Sequence, residues 1–97
     1  MPLPLLALGL LMAAGATGVS ADSTSARCRL MHDNSSIPVE SGVCRFSQRQ
    51  GNVTILFRDR WFNFPYEDDG RHYERSHTET GIRFVRSGRY TLDVLWR

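Results

Sequence analysis

The sequence predicts a small all-β protein: an antiparallel meander of six to seven short strands that closes into a barrel or a sandwich. One disulfide holds it, and a leader for export precedes it. Three observations lead there. Apolar and polar residues alternate at period two through most of the chain after residue 27, with turn-forming residues at short intervals. Helical spacing of apolar residues is absent after residue 22. The only two cysteines, Cys28 and Cys44, follow an apolar N-terminal run, which places them in an oxidising compartment as a pair.

The first element is the leader. Residues 1–19 carry no charged side chain, and the apolar run 3–14 has the length of a signal core. Val19-Ser20-Ala21 suits signal peptidase, so cleavage is expected after Ala21, leaving residues 22–97 as one small domain. A membrane anchor is the competing reading, since spanning takes roughly 18 apolar residues. Gly15-Ala16-Thr17-Gly18 breaks the run and disfavours it, and no stable membrane insertion is expected after cleavage.

The β elements follow in order. Cys28 and Leu30 share one strand face, and Cys44 and Phe46 share another, so both sulfurs point inward. The loop between them holds residues 33–36 and Pro38. Closing it with a disulfide is worth about 3 kcal/mol on chain-entropy grounds, a large share of the stability of so small a domain. Gln50-Gly51-Asn52 turns into the inward row Val53, Ile55, Phe57. Arg58-Asp59-Arg60 turns again into Trp61-Phe62-Asn63-Phe64, where Phe62, Phe64 and Tyr66 align and Pro65 ends the strand or marks an edge. Glu67-Asp68-Asp69-Gly70 is a turn, residues 71–77 read as an exposed edge strand, and Thr78-Glu79-Thr80-Gly81 turns once more. Ile82 and Phe84 share a face. Arg86-Ser87-Gly88-Arg89 forms a hairpin turn into the last strand, with Tyr90, Leu92, Val94 and Trp96 on one side and Thr91, Asp93 and Arg97 on the other.

All twelve basic residues are arginine, against ten acids, for a net charge of +2. The absence of lysine fits a GC-rich genome, and so a bacterium. It also removes Schiff-base chemistry from every position but the N-terminal amine. The two signs are interspersed along the chain, which predicts a mixed surface without strong steering toward nucleic acid or membranes.

No catalytic constellation emerges. His72 and His77 lie five apart, on opposite faces of a strand, and do not chelate one metal. His32 falls in a loop region, while His72 and Glu74 share a face as an acid–base pair without a nucleophile. Glu67-Asp68-Asp69 lacks the alternating oxygen ligands of a calcium loop. Residues 58–64 interleave arginine with aromatics, as single-strand binders do, but alternating aromatics on a strand are more often core. Asn34-Ser35-Ser36 and Asn52-Val53-Thr54 match the glycosylation sequon, which matters only in a eukaryotic secretory pathway.

Residues 52–92 resemble the bacterial periplasmic inhibitors of C-type lysozyme. Gly51-Asn52-Val53-Thr54-Ile55-Leu56-Phe57 before an aromatic strand is similar to that family's central hairpin. Gly70-Arg71-His72-Tyr73 resembles its Ser-Gly-x-x-Tyr segment, and Phe84-Val85-Arg86-Ser87-Gly88 its later Phe-x-x-Lys-Gly turn. The resemblance implies a small exported β-barrel that blocks a lysozyme cleft with one polar and one basic loop residue. Asp69 stands at the family's serine and Ser87 at its lysine, with Arg86 or Arg89 as nearby cations.

The expected function is therefore a non-enzymatic binding or inhibitor module in the periplasm or outside the cell, facing a protein or glycan. Its contact residues are expected to be Asp69, Gly70, Arg71 and Tyr73 with Arg86, Ser87, Gly88 and Arg89. It is expected to need no cofactor, metal or nucleic acid. A ligand-free envelope-stress component and a small hydrolase using His72 and Glu74 are the alternatives.

Overall fold

The computed structural model describes residues 22–96. Residues 1–21, read above as a leader, and Arg97 lie outside the described residues. Seven strands follow one another: β1 (Asp22–His32), β2 (Glu40–Arg49), β3 (Asn52–Phe57), β4 (Arg60–Phe64), β5 (Glu74–His77), β6 (Gly81–Arg86) and β7 (Tyr90–Leu95). They form one antiparallel sheet in the order β4-β3-β2-β1-β7-β6-β5, and the sandwich alternative falls away.

The sheet has to curl. Its ends, β4 and β5, are six strand spacings apart, roughly 29 Å if laid flat at about 4.8 Å each. The nine residues between them would span about 30 Å only if fully stretched. They are not stretched: Tyr66–Asp68 form a 3-10 turn, and Gly70 N–H donates to the Tyr73 carbonyl at 2.7 Å. The result is a half-barrel whose seam lies between β4 and β5, where no ladder runs among the described residues.

The predicted alternation fills the concave side. Leu30, Val53, Ile55, Phe57, Phe64, Phe84, Leu92 and Val94 are all buried there. Phe64 and Phe84 stack with ring centroids 4.2 Å apart, although they come from strands on either side of the seam. In the β1–β2 ladder Cys28 lies opposite Gly42 and Ala26 opposite Cys44. The cysteines are thus diagonal neighbours on one face, with Cα atoms 5.8 Å apart and their sulfurs joined.

Four details depart from the pattern reading. The edge strand covers only Glu74–His77, because the Asp68 carbonyl accepts from both Arg71 and His72 N–H, at 2.9 Å each, and coils the chain there. Tyr73 is buried in the core instead of lying on a polar strand. Tyr66 and Trp96 are exposed, since the chain leaves the sheet at Pro65 and after Leu95. Asp93, on the convex side, is nonetheless buried: the Arg83 guanidinium covers it with two bonds of 2.7 and 2.9 Å. The same pairing raises the Arg83 pKa.

Candidate functional site

Two loops distant in sequence meet beside the seam. Gly70, Arg71, His72, Tyr73 and Glu74 on one side, and Val85 and Ser87 on the other, line a groove of about 200 Å³. Each loop is held by its own backbone. Gly70 takes φ +86°, open to glycine without strain, and the Asp69 carboxylate accepts the Arg75 N–H at 2.9 Å. In the β6–β7 turn Arg89 N–H donates to the Arg86 carbonyl at 2.9 Å, with Gly88 at φ +78°. The Arg89 carbonyl in turn accepts from Asp33 N–H at 3.0 Å, tying this turn to the β1–β2 loop.

Of the eight predicted contact residues, Asp69, Gly70, Arg71, Ser87, Gly88 and Arg89 are exposed. Tyr73 and Arg86 have other work. Tyr73 reaches β4 through the core, and its hydroxyl sits 2.9 Å from the Pro65 carbonyl and 3.2 Å from that of Phe64. Arg86 lies over the Phe64 and Tyr73 rings and donates to the carbonyls of Asn63 at 3.0 Å and His72 at 3.2 Å, and to the Tyr90 hydroxyl at 3.0 Å. Both side chains are committed to the seam, which leaves Arg71 and Arg89 as the exposed guanidiniums of these loops.

Arg75 completes the seam, and the pattern reading did not single it out. Its Nη2 donates to the Tyr73 hydroxyl at 2.8 Å, to the Gly51 carbonyl at 2.9 Å and to the Phe64 carbonyl at 3.3 Å. Its Nε is buried without a partner among the described residues. The available signal was parity: on a strand, residues 73 and 75 face the same way.

A second polar cluster caps the barrel end where β1 and β2 meet their loop. His32 Nε2 lies 3.2 Å from Glu40 Oε2, and Arg60 Nη2 donates to Glu40 Oε1 at 2.6 Å. The His32 hydrogen bond, and after it the Arg60 charge, hold the Glu40 carboxyl below its usual range despite opposing desolvation. In the linear chain His32 stands in a loop region with no partner marked. Only the hairpin register brings it beside Glu40.

The remaining candidates are dispersed. His72 pairs with Asp68, Nδ1 to Oδ1 at 3.4 Å, and lines the groove with Glu74. Among the described residues no three His, Cys, Asp or Glu side chains converge on a metal position. Phe62 and Phe64 are core, leaving Trp61 as the exposed aromatic of residues 58–64. The sequon asparagines serve turns: Asn34 Oδ1 accepts from Ser36, and Asn52 Oδ1 from Tyr66 N–H. Among the described residues no helix is long and apolar enough to cross a membrane.

Comparison with family models, with curated proteins and with solved structures finds no match for this chain. The functional reading accordingly rests on the site itself.

Proposed function

We propose that this chain is an exported, non-enzymatic binding module that inhibits an extracytoplasmic hydrolase, with a lysozyme as the leading partner. The observation that carries this is the groove: residues 70–74 and Ser87 form one wall and its opposite, with Arg71 and Arg89 exposed on the two loops. Glycoside hydrolases present a pair of carboxylates in their cleft, and arginine is the side chain best suited to pair with a carboxylate bidentately. Fixed turns at Gly70 and Gly88 keep the ordering cost of docking low. The resemblance of these two loops to those of periplasmic lysozyme inhibitors supports the same partner. A disulfide and the absence of a spanning helix among the described residues are compatible with the periplasm or the secreted fraction.

The test is inhibition of a C-type lysozyme by purified protein. Saturable inhibition is expected, weakened about tenfold or more by Arg71→Ala with Arg89→Ala at unchanged melting temperature. Unchanged hydrolysis at high micromolar excess of wild-type protein rejects the proposal.

A further inference from the structure

Along the chain the charges look mixed, but the outward faces of β1 and β2 carry arginine as their only charged residue. The outward positions of β1 and β2 are Ser23, Ser25, Arg27, Arg29 and Met31, then Ser41, Val43, Arg45, Ser47 and Arg49, with no acid among them. Asn52, Thr54 and Leu56 continue this face on β3, again without an acid. On β7 Asp93 lies across the ladder from Arg29, but the Arg83 guanidinium covers and pairs it. Five of the chain's ten acids, Glu67, Asp68, Asp69, Glu74 and Glu79, lie between residues 67 and 79, interleaved there with Arg71 and Arg75. In the strand order β1 and β2 are central while the seam joins the two ends, so the curl places the basic face across the core from the seam and the groove.

The basic face is also apolar at its centre. Val43 is 66% exposed. Arg27 lies directly across the ladder from it, Arg45 is the next outward residue on its own strand, and Arg29 is diagonal to it. Leu95 flanks Arg27 on β7 and Leu56 flanks Arg45 on β3, both half-buried. Trp61, 63% exposed, ends the row through Leu56 and Arg45. Among the described residues Arg27 and Arg29 make no ion pair, and Arg45 reaches only the Ser23 hydroxyl, at 3.1 Å.

We infer that this convex face docks on an anionic phospholipid surface, with the arginines on headgroup phosphates and Val43 and the aliphatic arginine stems at the acyl boundary. Charge complementarity selects the occupant. A second copy would set arginine against arginine. A hydrated anionic glycan or nucleic acid would match the charges but gain nothing from Val43, Leu56 and Leu95, whereas a lipid interface uses both kinds of side chain. Docked this way, the molecule turns the seam and the groove of residues 70–74 away from the lipid. The inference is independent of what the groove holds.

The experiment is vesicle flotation with the protein as recovered from the exported fraction. Vesicles rich in phosphatidylglycerol are compared with vesicles of phosphatidylcholine alone. Binding to the anionic vesicles only is expected, falling as salt is raised. Arg27→Gln with Arg45→Gln should weaken it at least tenfold, each guanidinium near such a surface being worth about a fivefold change in partition. Val43→Ser should weaken it further without changing net charge. Arg71→Gln with Arg89→Gln removes the same charge from the groove loops and should leave vesicle binding in place. Equal binding to both vesicles, equal losses in the two arginine pairs, or arginine-dependent capture of a soluble anionic polysaccharide with no vesicle binding each overturns the assignment.

Discussion

The Arg86 guanidinium on β6 donates to the Asn63 carbonyl on β4 at 3.0 Å, although four strands separate β4 from β6 in the sheet order. Side chains here stand in for a missing β ladder. Tyr73 and Arg75 bond the same edge at Phe64, so the Asn63 and Phe64 carbonyls accept from one phenol and two guanidiniums. Unpaired edge groups invite association with other chains, and this arrangement occupies two of them within the molecule.

Arg86→Ala should therefore destabilise by about 2–3 kcal/mol, because it strips three acceptors and two cation–π contacts at once. Arg86→Lys should recover little of that, since one ammonium cannot match the planar fork. Tyr73→Phe keeps the ring and should cost only about 1 kcal/mol. Urea unfolding of the three variants checks the order.

Removing the disulfide by Cys28→Ala with Cys44→Ala should cost about 3 kcal/mol, given a separation of sixteen residues. For a domain this small each kcal/mol moves the melting temperature by about 4–8 °C. The cysteines are 1% and 3% exposed, so mild reductant should open the bond only at the rate of unfolding. Thiol labelling after timed reduction, read beside the unfolding rate, checks this.

The Glu40 carboxyl has a pKa lowered by His32 and Arg60. Its contribution is thus complete above the ordinary carboxyl value of 4.5 and is lost as pH falls through the lowered one. Glu40→Gln should cost up to about 1 kcal/mol near pH 6, with the difference from wild type shrinking toward pH 3. Melting temperatures across that range give the comparison.

Two glycines should behave differently when replaced by alanine. A Cβ on Gly81 would stand 1.8 Å from the Val94 carbonyl oxygen, a backbone atom fixed in the β6–β7 ladder. Gly81→Ala should cost about 3 kcal/mol or more, or prevent folding. Gly70 has open space around it but φ +86°, so Gly70→Ala should cost only about 1–2 kcal/mol of backbone strain. Calorimetry of the pair separates packing from conformation.

The fold class, the strand rows, the turns and the disulfide were legible in the linear chain because each is local or nearly so. Alternation places Val53, Ile55 and Phe57 on one face whatever the rest does, and Gly51 and Gly88 mark turns by their own conformational freedom. The candidate loops were legible as exposed turns. That residues 70–74 and Ser87 share a groove required the curl. Tertiary structure alone decided which polar groups meet. It gave Arg86, Arg75 and Tyr73 to the seam, set His32 beside Glu40, buried Asp93 under Arg83, and gathered Arg27, Arg29 and Arg45 on one outward face. Period-two alternation states which side of a strand a residue takes. Strand order and curvature decide which other residues it faces there, and both come from long-range closure that no local pattern encodes.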